Sequence, residues 1–368
     1  MVDSPSDSVL LHPISKNTPM RKHYAILVLT LLVIITKLAG QDSHFSQFYA
    51  SPLYLNPGLT GAFDGKYRLS TIYRDQGRNL LDEPYTTFSA AADFRFDVGT
   101  KGKDAVGLGM IFLNDRSASV NFYTNTIGVS GAYHKALNRY GDQYLSLGVQ
   151  FGIGQRNINY ENLSFEDQFN GQDGYTDPTA EVYPFNNFGY GDIAVGLNYT
   201  YAPGDKLAVF AGAAMHHVLE PQISFYAREE VEERRNDNQL FRKYSAYVNL
   251  QYPINNKVQF SPRILGYIQG PHLTINAGAN FRFLLDDIEG TALHLGGWVR
   301  PVRNFTNRFV PDAVILMTGI EYNNFLIGVS YDARLGNLAS SGRRLGALEI
   351  SLAFLGNYDN ETVLCPKF

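Results

Sequence analysis

The sequence predicts an all-β protein, a transmembrane antiparallel outer-membrane β-barrel of about 14 strands with a short N-terminal plug or latch segment. Three observations carry this expectation. From Lys66 onward, stretches of about ten residues place apolar side chains at every second position, and each stretch ends in a turn signal. The other face of these stretches carries Gly, Ser, Ala, Asn and Gln rather than the Lys, Glu and Thr of a sheet facing water, which suits lipid outside and a crowded polar lumen inside. Finally, 24 Tyr, 24 Phe and 34 Gly stand against one Trp and one Cys in 368 residues, a balance that favours many short strands and tight turns over helices.

The first element is a leader. Met20-Arg21-Lys22-His23 precedes the apolar run from Ala25 to Ile35, and Ala39-Gly40 supplies small residues before Gln41, the layout of a signal peptide. The run is too short to span a bilayer as a helix. Residues 1–40 are therefore expected to be an upstream extension and signal peptide, with translation starting at Met20.

Residues 41–65 form the expected plug or latch. Phe45, Phe48, Tyr49, Leu53, Tyr54 and Leu55 crowd into one short run broken by Pro52 and Pro57, apolar matter that is costly to leave in water. Ser43 is expected to cap a short helical piece on which Phe45, Phe48 and Tyr49 share a face, ended by Pro52. Asn56-Pro57-Gly58 reads as a tight turn with Pro fixing one central residue and Gly taking positive φ.

The barrel follows over residues 66–355, with strands expected at Lys66–Tyr73, Tyr85–Phe96, Asp104–Asn114, Phe122–Lys135, Gln143–Asn157, Tyr190–Tyr201, Lys206–Leu219, Phe241–Tyr252, Val258–Gln269, His272–Leu284, Thr291–Arg300, Ala313–Tyr322, Phe325–Ala333 and Gly346–Leu355. The count is even, as closed single-chain outer-membrane barrels require, and only closure satisfies every backbone group in lipid. Residues 356–368 are a C-terminal tail on the periplasmic side. With the N-terminus in the periplasm, the odd-numbered connections face outward and include the long segments 157–189, 219–240, 301–312 and 334–344. The even-numbered ones are short, and this sorting of loop length by parity is the asymmetry of outer-membrane barrels.

Sites of chemistry are sparse. His216 and His217 are neighbours on an expected strand and should point to opposite faces, which makes them poor joint metal ligands. Asn170-Gly171-Gln172-Asp173-Gly174 with Asp177 lacks the alternate oxygen spacing of a calcium loop. No nucleophile and base are set apart by their spacing, so no catalytic residue, metal or cofactor is expected and the chain is read as a non-enzyme. A single Cys, Cys365, excludes a disulfide framework and is read as an ordinary tail residue. The net charge of -4 with no dense Lys/Arg cluster leaves no nucleic-acid footprint. The long outward loops set Phe165, Phe169, Tyr175, Tyr183, Phe185, Phe225 and Tyr226 among charges, the mixture of aromatic anchors and polar rim used by protein-binding surfaces. The mixed-charge run from Arg228 to Arg235 belongs to the same outward region.

His44-Phe45-Ser46-Gln47-Phe48, Leu53-Tyr54-Leu55-Asn56-Pro57-Gly58-Leu59-Thr60-Gly61 and Tyr73-Arg74-Asp75-Gln76 resemble the N-terminal signature of the PorP/SprF family of outer-membrane proteins tied to the type IX secretion system of the Bacteroidetes. Gly328-Val329-Ser330-Tyr331-Asp332, Leu348-Glu349-Ile350-Ser351-Leu352 and Cys365-Pro366-Lys367-Phe368 resemble its closing strands and tail. The resemblance implies an outer-membrane location, type IX secretion components as partners, and a role in export or surface anchoring of a secreted adhesin that has a C-terminal sorting domain, as in gliding motility. Outer-membrane lipid is the other expected partner. Asn56-Pro57-Gly58 also resembles the plug turn of FadL-like transport barrels, which implies as an alternative a passive or hydrophobic-solute channel.

Overall fold

In the computed structural model the described residues are 42–79, 81, 83–99, 103–117, 121–161, 163–204, 206–225, 239–286, 290–303, 307–335 and 346–356. The expected signal peptide, Tyr226, the charged run 228–235 and Cys365 lie outside them, and of the expected tail only Gly356 is described.

Among these residues there are fourteen strands: β1 (Tyr67–Gln76), β2 (Tyr85–Val98), β3 (Asp104–Ser117), β4 (Phe122–Ala136), β5 (Gln143–Ile158), β6 (Asn187–Tyr201), β7 (Ala208–His216), β8 (Lys243–Pro253), β9 (Val258–Gln269), β10 (His272–Asp286), β11 (Thr291–Arg303), β12 (Phe309–Tyr322), β13 (Phe325–Arg334) and β14 (Gly346–Gly356). Each pairs with its sequence neighbours, and β1 closes the ring against β14 in a register running from Tyr67 opposite Gly356 to Gln76 opposite Ala347. The expected strands differ from these mainly at two places. Strand β7 ends at His216 rather than Leu219, because His217 and Glu220 take left-handed backbone with φ of 57° and 44°, which breaks the pleat. The expected loop 301–312 is largely ladder instead: the register shifts at Arg300/Pro301 and then pairs Pro301 with Pro311, a bulge that lets prolines stay in the sheet.

Alternation decides which face meets lipid. On β13, Phe325, Ile327, Val329 and Tyr331 are exposed outward, while Leu326, Gly328, Ser330 and Asp332 are buried in the lumen. The same holds around the ring, with Leu108, Phe151, Ile153 and Leu316 outside and Arg68, Asp93, His134, Arg300 and Glu349 inside. A water-soluble sandwich would invert this; a barrel in lipid needs it.

Connections 159–186 and 217–242 lie at one end of the barrel and the turns 254–257 and 323–324 at the other, so the ends are a long-loop end and a short-turn end. Residues 42–66 run inside the barrel between them. Asp42 contacts His217, Lys243 and Gln269 at the long-loop end, and the chain descends to Lys66 at the short-turn end, where β1 begins. The first strand thus starts where expected, but the segment before it climbs the lumen rather than latching its short-turn rim.

Candidate functional site

The plug is built from three short turns: a 3-10 turn at Phe48–Ala50, a helical turn at Pro52–Leu55 opened by Pro52, and a 3-10 turn at Pro57–Leu59. Gln47, not Ser43, stands at the first N-cap position, and it makes no side-chain cap. Ser43 instead accepts a hydrogen bond on its carbonyl from the Tyr54 hydroxyl, which folds the segment onto itself. So compact a piece cannot keep all its aromatics on one face. Phe45 packs with Phe63, Ile72, Trp298, Ile315 and Leu326, whereas Phe48 joins Leu55, Leu59, Tyr144, Tyr247, Leu265 and Tyr267, with half-buried Tyr49 against both groups. Each such large side chain contributes about 1.5–3 kcal/mol on burial. A gap of about 30 Å³ lined by His44, Phe48, Tyr54, Lys243 and Tyr267 is left between plug and wall, room for about one water.

The upper half of the plug is held by charge. The Glu349 carboxylate of β14 accepts both the Ser46 and the Gln47 backbone N–H, at 2.7 and 2.8 Å, and pairs with the Arg74 guanidinium of β1. Asp332 of β13 accepts from the Ser46 hydroxyl at 2.7 Å and pairs with Arg74 at 3.0 Å and with Arg300 of β11 at 2.9 Å. Two cations and two anions, all nearly free of solvent, therefore close on one serine and one glutamine of the plug. Ser351 donates to the Gln47 side-chain oxygen and the Gln47 amide donates to Ser330, which fixes that side chain as well. Buried charges are tolerable only when paired and hydrogen-bonded in this way.

The lower half is held by close approach. The Asn56 side chain accepts the Gly58 N–H at 2.7 Å, capping the 3-10 turn, and donates to the Leu197 carbonyl of β6 at 2.8 Å. Gly58 does not take positive φ; it is glycine because a side chain there would press on Gly196 and Asn198 of the wall, and Gly61 (φ 73°) supplies the left-handed residue. Wall glycines answer it. A Cβ on Gly107 would fall 1.9 Å from the Thr60 carbonyl oxygen, and one on Gly148 would fall 2.3 Å from Pro57. Asp93 accepts the Gly61 N–H and pairs with Arg68, which also donates to the Leu59 carbonyl. His134 contacts the Thr60 carbonyl oxygen at 2.8 Å and Ser146 at 2.7 Å.

The two adjacent histidines both serve the plug, against the expectation that they face opposite ways. His216, in β7, meets the Leu55 carbonyl oxygen at 3.3 Å. His217, turned by its positive φ, bridges Asp42 at 2.7 Å and Asp192 at 2.8 Å. Burial alone would lower the His217 pKa, but the Asp42 carboxylate and then the Asp192 hydrogen bond reverse this and raise it to about 9. Burial likewise opposes ionisation of Asp42, and the His217 and Lys243 charges outweigh it, holding the carboxyl below its usual range. The raised histidine stabilises the fold fully below its unfolded value of about 6.5 and loses that contribution as pH passes through 9, while the aspartate loses its own only on acidification. Limited proteolysis near Asp42 is therefore expected to accelerate between pH 7 and 10, with the difference absent in His217→Ala.

At the long-loop end the segment 217–225 folds over the mouth. Phe225 packs edge-on against Phe188 at 5.0 Å and near Phe122 at 6.2 Å, so it anchors the loop to the wall rather than facing outward. The loop 159–186 is ordered by its own contacts: Tyr183 stacks on Tyr160 at 4.8 Å and tilts against Phe165 at 5.3 Å, Phe169 meets Tyr175 at 5.4 Å, and Asn170 accepts the N–H groups of Gln172, Asp173 and Gly174. Phe169, Tyr175, Tyr183 and Phe185 are exposed on it; Phe165 is half-buried.

Of the plug residues named from sequence, Phe45, Phe48, Leu55, Asn56 and Pro57 are buried in the lumen. Sequence reasoning missed their counterparts on the wall: Arg74, Arg300, Asp332, Glu349, Arg68, Asp93, His134 and His217. A charged residue at an inward position of an otherwise apolar-alternating strand, as in Leu348-Glu349-Ile350, was the available signal.

Polar lumen, apolar exterior, length-sorted loops and a chain-derived stopper define a plugged, outer-membrane-type β-barrel. The profile described as "Type IX secretion system membrane protein PorP/SprF" matches residues 37–354. The chain belongs to that family of type IX secretion membrane proteins. Among solved structures it is similar to a FadL homologue of Pseudomonas aeruginosa (11% identity over 84% of this chain and 95% of that one, TM-score 0.46). It is also similar to the toluene transporter TbuX of Ralstonia pickettii (12%, 87% and 97%, 0.46) and to CdiB of Escherichia coli (10%, 78% and 63%, 0.43). No curated sequence matches the chain.

Proposed function

We propose that this protein is a non-enzymatic outer-membrane component of type IX secretion that assists export or cell-surface anchoring of a secreted adhesin, of the kind used in gliding motility. One observation carries the reading. The lumen is filled by a segment clamped along its whole length, while the long-loop end presents an ordered, aromatic-studded surface. A conduit needs an unfilled path; a docking or anchoring platform needs a rigid outer face. Membership of the secretion family supports the platform role, and the loop-length asymmetry matches barrels whose long loops face the cell exterior.

Deleting the gene is expected to abolish surface display of one secreted adhesin, scored by antibody on intact cells, and to leave small-solute uptake unchanged. A deletion strain that displays every type IX cargo normally and loses uptake of a solute would replace this reading with that of a channel.

A further inference from the structure

Strand β6 is taller than β7. Pairing between them runs only from Val195 opposite Met215 to Tyr201 opposite Val209, although β6 begins at Asn187 and pairs with β5 along its full length. The Ile158 N–H is donated to the Asn186 carbonyl on the β5 side, and the Val218 N–H to the Ile193 carbonyl on the other. By the alternation of an antiparallel ladder, the N–H and C=O groups of Asn187, Gly189 and Gly191 point away from β5, and no described residue bonds them there. This edge rises out of the lipid belt, with Gly191 at the belt's upper rim and Gly189 and Asn187 above it. The outward apolar series ends at Ile153 on β5, which faces Gly191 across the ladder; above that pair the outward positions are Gln155 and Asn157, opposite Gly189 and Asn187. The usual protections of a free edge, Lys or Pro, are absent from residues 187–192, and two of the three free positions are glycines that leave the approach open.

A second observation gives the charge of what would pair here. The edge continues the hairpin tip 159–186, which carries Glu161, Glu166, Asp167, Asp173, Asp177 and Glu181 and neither Lys nor Arg. Phe169, Tyr175 and Phe185 are exposed among them.

We infer that the upper edge of β6, residues 187–191, is a strand-addition site for an extended, Lys/Arg-rich segment of a partner protein. Main-chain hydrogen bonds to Asn187, Gly189 and Gly191 supply the pairing, and the acidic, aromatic tip supplies selectivity for cationic side chains and attachment points for apolar ones. The inference rests on the proposed role of the long-loop face in binding a secreted protein, and names the chemistry of that partner.

The test uses the full-length protein in lipid nanodiscs, a short alternating Lys-Thr peptide as probe, and a Glu-Thr peptide as charge control. The paired substitution Gly189→Pro with Gly191→Pro removes the two edge donors while leaving the β5 ladder intact; Gly189→Ala with Gly191→Ala keeps the donors, and neither position crowds a Cβ closer than 3.6 Å. The Lys-Thr peptide is expected to slow amide exchange at Gly189 and Gly191, and to bind about tenfold more tightly than the Glu-Thr peptide and than it binds the proline variant. The alanine variant should behave as wild type. Equal binding of both peptides, binding unaffected by the prolines, or slow exchange at these glycines already without peptide would each overturn the inference. In cells, a proline variant with normal adhesin display overturns it while leaving the secretion role standing, whereas normal display in the gene deletion removes that role itself.

Discussion

Replacing Glu349 with Ala is expected to release the plug while the barrel stays closed and inserted. The carboxylate is the shared acceptor for the Ser46 and Gln47 N–H groups and a partner of Arg74, so its loss strands two buried donors and leaves the buried Arg74 to share the Asp332 carboxylate with Arg300. Removing one member of a buried ion pair costs about 3–5 kcal/mol, because the remaining charge is left uncompensated. That cost falls on the plug, since β14 contributes no other charged group to this cluster and keeps its backbone pairing to β1 and β13. Protease added to the detergent-purified variant should cut between Asp42 and Leu55, sites the wild type protects, while heat-dependent gel mobility still reports a folded barrel. Protection equal to wild type would mean that the glycine-lined lower clamp alone retains the segment.

Gly107→Val together with Gly148→Val is the complementary lesion and should turn a silent barrel into a conducting one. Both glycines sit on lumen faces of strands where valine suits the pleat, so the ladder tolerates the change. The plug does not: the new Cβ atoms would sit 1.9 Å from Thr60 O and 2.3 Å from Pro57, inside contact distance of backbone that cannot swing aside. With Thr60 to Gly58 expelled, Asn56 also loses its place against Gly196. Planar-bilayer recordings should show ion conductance in the double variant and none in wild type. A variant as silent as wild type, with its plug still protected from protease, would show that the wall yields instead.

The barrel itself was legible because lipid outside and polar groups inside impose a period of two on nearly every strand, and because a turn must interrupt each crossing. Strand ends escaped where the backbone left that period, at His217 and at the Arg300/Pro301 bulge, since left-handed backbone at a histidine and a register shift between prolines leave no hydrophobic trace. The plug was visible as apolar side chains crowded between prolines, which told that the segment must be buried against the barrel but not along which path or by which wall residues. Its clamp was hidden for a different reason. Arg74, Arg300, Asp332 and Glu349 come from four strands separated by up to 275 residues, and only ring closure brings them together. Glycines 107, 148 and 196 looked like part of the general glycine richness, because what singles them out is the plug backbone lying against them.

The clamp also couples the two ends of the polypeptide in time. Glu349 lies on β14, the strand that closes the ring, and its acceptors serve residues 302 and 303 positions earlier. A nascent or truncated chain lacking β14 has no partner for the free edge of β1 and leaves Arg74 to share the Asp332 carboxylate with Arg300. Sealing of the wall and completion of the stopper's upper clamp therefore arrive with the same strand. Completeness is thus written into the fold: an unfinished chain keeps both an unpaired β1 edge and an incomplete clamp on Ser46 and Gln47, and unpaired edges of that kind are what make folding intermediates prone to misassembly.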